Sequence, residues 1–401
     1  MTKLIKGTKQ FQLANLALFS AGFITFANLY ITQPLMPEFT KEFGISPAVA
    51  SLSLSVATLA LAFSLLLFGS LSEAWGRKKL MTGSIFTASI LTITLAFTQS
   101  YEMLIALRII QGFVFAGVPA IAMAYLGEEV DGNSLGVAMG LYISGNSIGG
   151  MGGRVIMGTM SDLFSWQIGV IVLGLVSLAI CFYFVWALPP SRNFTPRPLK
   201  FIPLVTSLFN HLRDSTLVCL FTIGFLLMGS FVTMYNYIGF KFLDEPYHLS
   251  TTLVGWIFII YLVGTFSSTW FGSLSTKLGK QLVLYIGICI FLAGVLLTIP
   301  AALSFQVIGL IVLTFGFFGA HSIASGWVSA RALKDKAQAS SIYLFAYYFG
   351  SSIAGTAGGY FWMHYGWKGI VSFISSGLLL CFSCALFIHL SNRKTVSIQS
   401  K

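Results

Sequence analysis

The chain has 401 residues, 56% of them hydrophobic and only 9% charged, against roughly 25% charged in an average soluble domain, which excludes a soluble globular protein and predicts an all-α membrane protein. The net charge of +11 does not point to nucleic acid, because no polar segment is long enough to build a basic face on a soluble domain. The five cysteines, Cys181, Cys219, Cys289, Cys381 and Cys384, lie in or beside apolar runs and read as small hydrophobes. Cys381 and Cys384 form a C-x-x-C inside a lipid-length run with no third cysteine nearby, so no disulfide framework, metal site or other cofactor is expected.

A spanning helix needs about twenty apolar residues. Lys3, Lys6 and Lys9 precede an apolar run from Phe11 to Met36 that is too long for a signal peptide and lacks a small-residue cleavage site, so it reads as an uncleaved first span. Pro34 and Pro37 break it, and Ser46 with Pro47 supplies an N-cap and a first-turn proline for the next helix. Spans are expected near 12–35, 47–70, 79–98, 102–127, 134–159 and 165–188, then near 216–240, 251–273, 280–300, 303–329, 337–363 and 367–390. The proline-rich, basic stretch from Leu188 to Asp214 separates the two sets. The expected organisation is therefore a six-helix bundle over 1–188, a cytoplasmic linker over 189–214 and a second six-helix bundle over 215–401.

Lysine and arginine set the orientation. With the N-terminus inside, the inner side holds Lys3, Lys6, Lys9, Arg77, Lys78, Lys79, Arg192, Arg197, Lys200, Arg213, Lys277, Lys280, Arg331, Lys334, Lys336, Arg393, Lys394 and Lys401, and the outer side keeps Lys41, Lys241 and Lys368. Both termini are thus expected to be cytoplasmic in a multi-pass cell-membrane protein. The inner loop after the fourth span is acidic, with Glu128, Glu129 and Asp131, and is expected to pair with the Arg77–Lys79 cluster.

The turn between spans two and three, GSLSEAWGRKKL from Gly69 to Leu80, returns as GSLSTKLGK from Gly272 to Lys280, so that Gly69 and Gly76 correspond to Gly272 and Gly279. A second repeat matches the glycine-rich run from Gly145 to Gly153 in span five with Gly350 to Gly358 in span eleven, and a tryptophan, Trp166 or Trp367, follows each. The two repeats predict two pseudo-symmetric six-helix bundles, twelve transmembrane helices in all. Glycines three and four residues apart put bare backbone on one helix face and allow close helix packing.

On these residues the chain resembles the major facilitator superfamily. GSLSEAWGRKKL is similar to that superfamily's signature between helices two and three, with Glu73 where an aspartate is usual. Leu104-x-x-x-Arg108-x-x-Gln111-Gly112 resembles the fourth-helix signature of its twelve-helix drug/proton antiporter branch. Span five resembles the antiporter motif but lacks the usual glycine-proline step, with Gly149-Gly150 in its neighbourhood. The resemblance implies two bundles around a central cavity, alternating access and a gate formed by Gly69, Glu73, Gly76 and Arg77 with their counterparts Gly272 and Gly279. It also implies that Glu73 contacts helix eleven and that Arg77 pairs with Glu128 or Glu129.

Few ionisable residues fall inside the spans. Arg108 and Arg154 lie at comparable depth, about 9 to 12 Å from the outer ends of spans four and five. A central arginine costs about 2.5 to 3.5 kcal/mol to insert, so each needs partners, either a polar or anionic solute or helix-end carbonyls. No aspartate or glutamate sits mid-span, which leaves His321 as the titratable candidate for proton coupling, its alternative being a hydrogen-bonded packing role. Asn28, Tyr30, Gln33, Asn146, Tyr235, Asn236 and Tyr237 offer hydrogen bonds to a solute or to neighbouring helices. There is no P-loop, no G-x-S-x-G elbow on a strand-to-helix turn and no H-E-x-x-H, so neither ATP hydrolysis nor another enzymatic activity is expected. The function expected is secondary transport, foremost proton-coupled efflux of small amphipathic compounds by a monomer in the bilayer. The alternatives are a carrier for an anionic metabolite or sugar derivative and a non-transporting membrane sensor.

Overall fold

The structure, a computed structural model, describes residues 3–194, 210–332 and 336–399. The middle of the expected linker, 195–209 with Arg197 and Lys200, lies outside the described residues, as do Lys334 and Lys401. Among the described residues the chain is helical, with a single isolated bridge between Leu4 and Val130. The first half carries α1 (Lys9–Tyr30), α2 (Met36–Phe43), α3 (Pro47–Trp75), α4 (Arg77–Leu95), α5 (Tyr101–Phe115), α6 (Ala122–Glu129), α7 (Gly132–Leu163) and α8 (Trp166–Ala187). The second carries α9 (Ser215–Leu243), α10 (Thr251–Trp256), α11 (Tyr261–Leu278), α12 (Lys280–Leu297), α13 (Leu303–Arg331) and α14 (Lys336–Gln399).

These helices make twelve spans in two six-helix bundles of similar plan. Among the described residues eight stretches are long and apolar enough to cross a membrane by composition, and one of them, Gln338–Leu390, is two spans reversed at Gly366, whose φ is +57°. Three further spans are α4, which opens with three cations, the pair α5–α6, and the glycine-rich α7. Gly76 and Gly279, with φ of +94° and +81°, each end one helix and start the next with no residue between, a backbone shape that favours glycine and explains its return in the repeated loop. Side-chain caps define other starts: Thr8, Ser100, Ser165 and Ser250 each accept from a backbone N–H three residues on.

Two spans of the first half are broken, and in the second half a 3-10 turn, Ile257–Ile260, separates α10 from α11 within one span. The first stops at Tyr30, turns over 31–35 and resumes as α2. The fourth breaks over 116–121, where Pro119 has no N–H to donate and Gly117 packs against Ser84. The second break is absent from the sequence expectation, which ran one helix through 102–127.

The glycine repeat becomes a packing repeat. A Cβ on Gly145, Gly149 or Gly153 of α7 would overlap the backbone of Phe19, Phe23 or Ala27 of α1, so the two helices touch backbone to backbone along three turns. In the second half Gly350 lies against the Phe225 carbonyl, and Gly358 against Thr233 and Tyr237. The chain forms two compact units. One comprises the described parts of 1–45, 52–200 and 248–259, the other those of 46–51, 201–247 and 260–401.

Candidate functional site

The end of α1 organises the first unit. A helix that stops inside a bundle leaves its last carbonyls without intrahelical partners. Arg108 of α5, fully buried, supplies them: Nη1 donates to Asn28 O at 3.0 Å and Nη2 to Leu29 O. Its Nε donates to Ser53 O of α3 at 2.8 Å, and Nη1 also to Gln111 Oε1 at 2.9 Å, so that the guanidinium is spent on the protein itself. Gln111 Nε2 donates to Thr92 Oγ1 at 3.0 Å, the Thr92 hydroxyl to Asn28 Oδ1 at 2.9 Å, and Asn28 Nδ2 to Ser177 Oγ at 2.9 Å. One connected network thus ties α1, α3, α4, α5 and α8 together. Its cation sits at the negative end of the α1 dipole, where it is most favourable.

Arg154 of α7 holds the same break from the other side. Its Nε donates to Gln33 Oε1 at 2.6 Å and Nη1 to Gly150 O, one turn back on its own helix. The guanidinium lies 3.9 Å from the centre of the Tyr30 ring and 4.7 Å from that of Phe258. Both arginines, read from the sequence as membrane-depth cations, therefore converge on residues 28–33.

Asn146, Gly150 and Arg154 follow one another at four-residue spacing on α7. Asn146 Oδ1 lies over Gly22 of α1, beside the Tyr142 ring. The two side chains are neighbours, yet the buried oxygens Asn146 Oδ1 and Tyr142 Oη form no well-aligned hydrogen bond with each other or with any other described residue. Tyr142 escaped the sequence reading, since a lone tyrosine in an apolar run carries no signal.

Asn236 and His321 belong to the second unit. Asn236 is buried on α9 between Tyr235, whose hydroxyl shares a 2.8 Å hydrogen bond with Thr314, and Tyr237, whose hydroxyl donates to Gly355 O at 2.9 Å. His321 Nδ1 and the Tyr343 hydroxyl are 2.9 Å apart, and the imidazole is stacked on Phe317 with Tyr347 close by, centroids 5.9 and 4.6 Å away. Around them Phe231, Phe317 and Phe318 form a continuous aromatic cluster, with Phe231 and Phe317 stacked at 3.8 Å.

At the repeated loop, Arg77 is buried and takes both Glu128 oxygens, Nη2 at 2.7 Å and Nε at 3.3 Å. Glu73 is 3.9 Å away, and the Phe194 ring lies 5.3 Å from the guanidinium. Glu129, the other acid the sequence left open, accepts instead from the backbone N–H groups of Arg192 and Asn193 at 2.7 and 2.8 Å, anchoring the start of the linker. Gly69 and Gly272 face open space, so the repeat needs them for something other than helix packing within their unit. On α2, the Glu38 carboxylate accepts from the Ser161 hydroxyl near the end of α7, a second tie between the broken first span and the glycine-rich helix.

The sequence profile of the Major Facilitator Superfamily matches residues 18–332 and 236–400. The chain is 51% identical to an uncharacterized MFS-type transporter, YybF, of Bacillus subtilis (strain 168), over 95% of this chain and 94% of that one. It is 44% identical to the inner membrane transport protein YnfM of Escherichia coli (strain K12), over 96% and 92%. Among solved structures it resembles a mutant of the nucleoside transporter NupG with a TM-score of 0.77 at 16% identity, over 94% of this chain and 99% of that one, a likeness of fold. Twelve spans, two bundles of one plan, and relatives that match nearly end to end leave one assignment: the chain belongs to the Major Facilitator Superfamily of membrane transporters.

Proposed function

We propose that this secondary transporter exports small amphipathic compounds by alternating access, driven by proton entry, with both termini cytoplasmic. The observation that carries the reading is the α7 face bearing Asn146 and Arg154. Arg154 lies against the Tyr30 ring, and about two and three turns back on the same helix two buried oxygens, on Asn146 and Tyr142, keep hydrogen-bonding capacity beyond their contact with each other. Leaving a buried polar atom unsatisfied costs about 1 to 3 kcal/mol, a cost that a solute bearing N–H or O–H groups would remove on binding. An aromatic surface beside unspent acceptors suits an amphipathic molecule. The direction rests on the fourth-span signature around Arg108 and Gln111, which resembles the antiporter branch. His321, hydrogen-bonded to Tyr343, is the coupling candidate in the second unit, and the Arg77–Glu128 pair with Glu73 is the gating element.

Everted membrane vesicles energised by respiration test this reading. Uptake of an amphipathic fluorescent amine should rise with the imposed proton gradient and collapse with a protonophore, and His321→Gln should flatten its pH dependence. Solute movement that ignores the proton gradient and carries net charge would favour the second reading, an anionic metabolite carrier, for which the Arg154 guanidinium within a spanning helix is the supporting observation.

A further inference from the structure

The three consecutive cations at the start of α4 are used differently. Arg77 is committed to Glu128, and Lys78 Nζ donates to the carbonyls of Val185 at 2.7 Å and Leu188 at 2.5 Å at the end of α8. Lys79 is exposed and makes no ion pair or hydrogen bond among the described residues. It stands at the mouth of an open groove of about 310 Å³ on the first unit, with Trp75 beside it and Phe68, Gly83, Thr87 and Val114 along its length.

The position of this groove is fixed by the hairpin it starts from. α3 and α4 are consecutive spans joined at Gly76 alone, so their turn lies at a membrane surface and the groove runs from there toward the bilayer centre. Lys79, Gly83 and Thr87 share one face of α4 at four-residue spacing. The eight residues they span rise about 12 Å, most of the roughly 15 Å hydrocarbon depth of one leaflet. Trp75 is 64% exposed, an indole at the water-membrane boundary, where such rings anchor beside headgroups. The slot is open because Gly83 has no side chain, and a Cβ there would meet nothing within 4 Å.

We propose that this groove is a binding site for one anionic phospholipid, its phosphodiester on Lys79 and Trp75 and one acyl chain laid along Gly83 and Thr87 against Phe68 and Val114. Charge selects the headgroup, because an ammonium left without a carboxylate at the membrane surface attracts anionic lipid. Shape selects the chain, because the slot is lined mostly by apolar residues and runs through most of the depth of a leaflet. The lipid would sit two residues from Arg77, within reach of the loop that carries the gating pair.

Native mass spectrometry of the full chain released from detergent, with phosphatidylglycerol and phosphatidylcholine offered in equal amounts, tests the site. The wild type should retain one phosphatidylglycerol in preference. Lys79→Gln should reduce that retention about fivefold, the factor corresponding to about 1 kcal/mol for one surface lysine, and leave phosphatidylcholine unchanged. Gly83→Leu should displace both lipids, and both variants should melt with the wild type because neither position is packed. Unchanged retention in both variants would overturn the proposal and point to a protein segment in the groove. Loss in Gly83→Leu alone would overturn the headgroup assignment.

Discussion

Arg108→Ala is expected to lower the melting temperature of the purified transporter as well as abolish transport. The substitution strands the carbonyls of Asn28 and Leu29 at the end of α1 and the Gln111 amide oxygen in a buried interior, and removes a second donor from the helical Ser53 carbonyl. Each buried acceptor left unsatisfied costs about 1 to 3 kcal/mol, and removing one member of a buried charged cluster costs about 3 to 5 kcal/mol overall, allowing for partial repair by water. Arg108→Lys should recover little, because an ammonium is a point donor and cannot reach from the α1 terminus to Ser53 and Gln111 at once. A scanning-fluorimetry melt of both variants beside the wild type decides the matter. A wild-type melt with transport alone lost would assign the guanidinium to the solute instead.

Gly149→Leu is expected to be at least as damaging, through packing rather than charge. The new Cβ would overlap the Phe23 carbonyl and Cα, both backbone atoms that cannot rotate away. Overpacking a core costs about 1 to 3 kcal/mol when side chains can yield, and more when the obstacle is main chain, so α1 and α7 must separate. The same substitution at Gly140, also on α7 but facing open space, is the control and should be tolerated. Size-exclusion profiles should show Gly149→Leu aggregated or absent and Gly140→Leu monodisperse. Equal behaviour of the two would mean that the backbone contact between α1 and α7 is dispensable.

Much of the architecture was legible because it rests on one-dimensional properties. Hydropathy alone brings the expected spans close to the observed helices, for example 165–188 against Trp166–Ala187 and 280–300 against Lys280–Leu297. The two repeats were legible because close backbone approach and a reversal at positive φ each favour glycine, as at Gly145 and Gly350, or Gly76 and Gly279. The break in the fourth span was not, although Gly117 and Pro119 are its residues, because its neighbours are apolar and the window average hides it.

The partners of the polar residues were the least legible part. Composition and spacing could not separate Glu128 from Glu129; the backbone N–H groups of Arg192 and Asn193 do so by claiming Glu129. For Arg108 the sequence offered solute or helix-end carbonyls, and the carbonyls it meets belong to residues 55 to 80 positions away in the chain. Phe258 beneath Arg154 and Ser177 beside Asn28 are equally remote in sequence and carry no local pattern.

The assignment of the α7 face to the solute is tested most directly by equilibrium binding. The first solute carried by the vesicles should be titrated into purified wild type, Asn146→Ala and Arg154→Gln, each checked for an unchanged melt. Loss of one hydrogen bond to a neutral group should weaken binding about tenfold in Asn146→Ala, with a larger loss in Arg154→Gln where a charge is removed. Three indistinguishable affinities would contradict the account and move the binding site off α7.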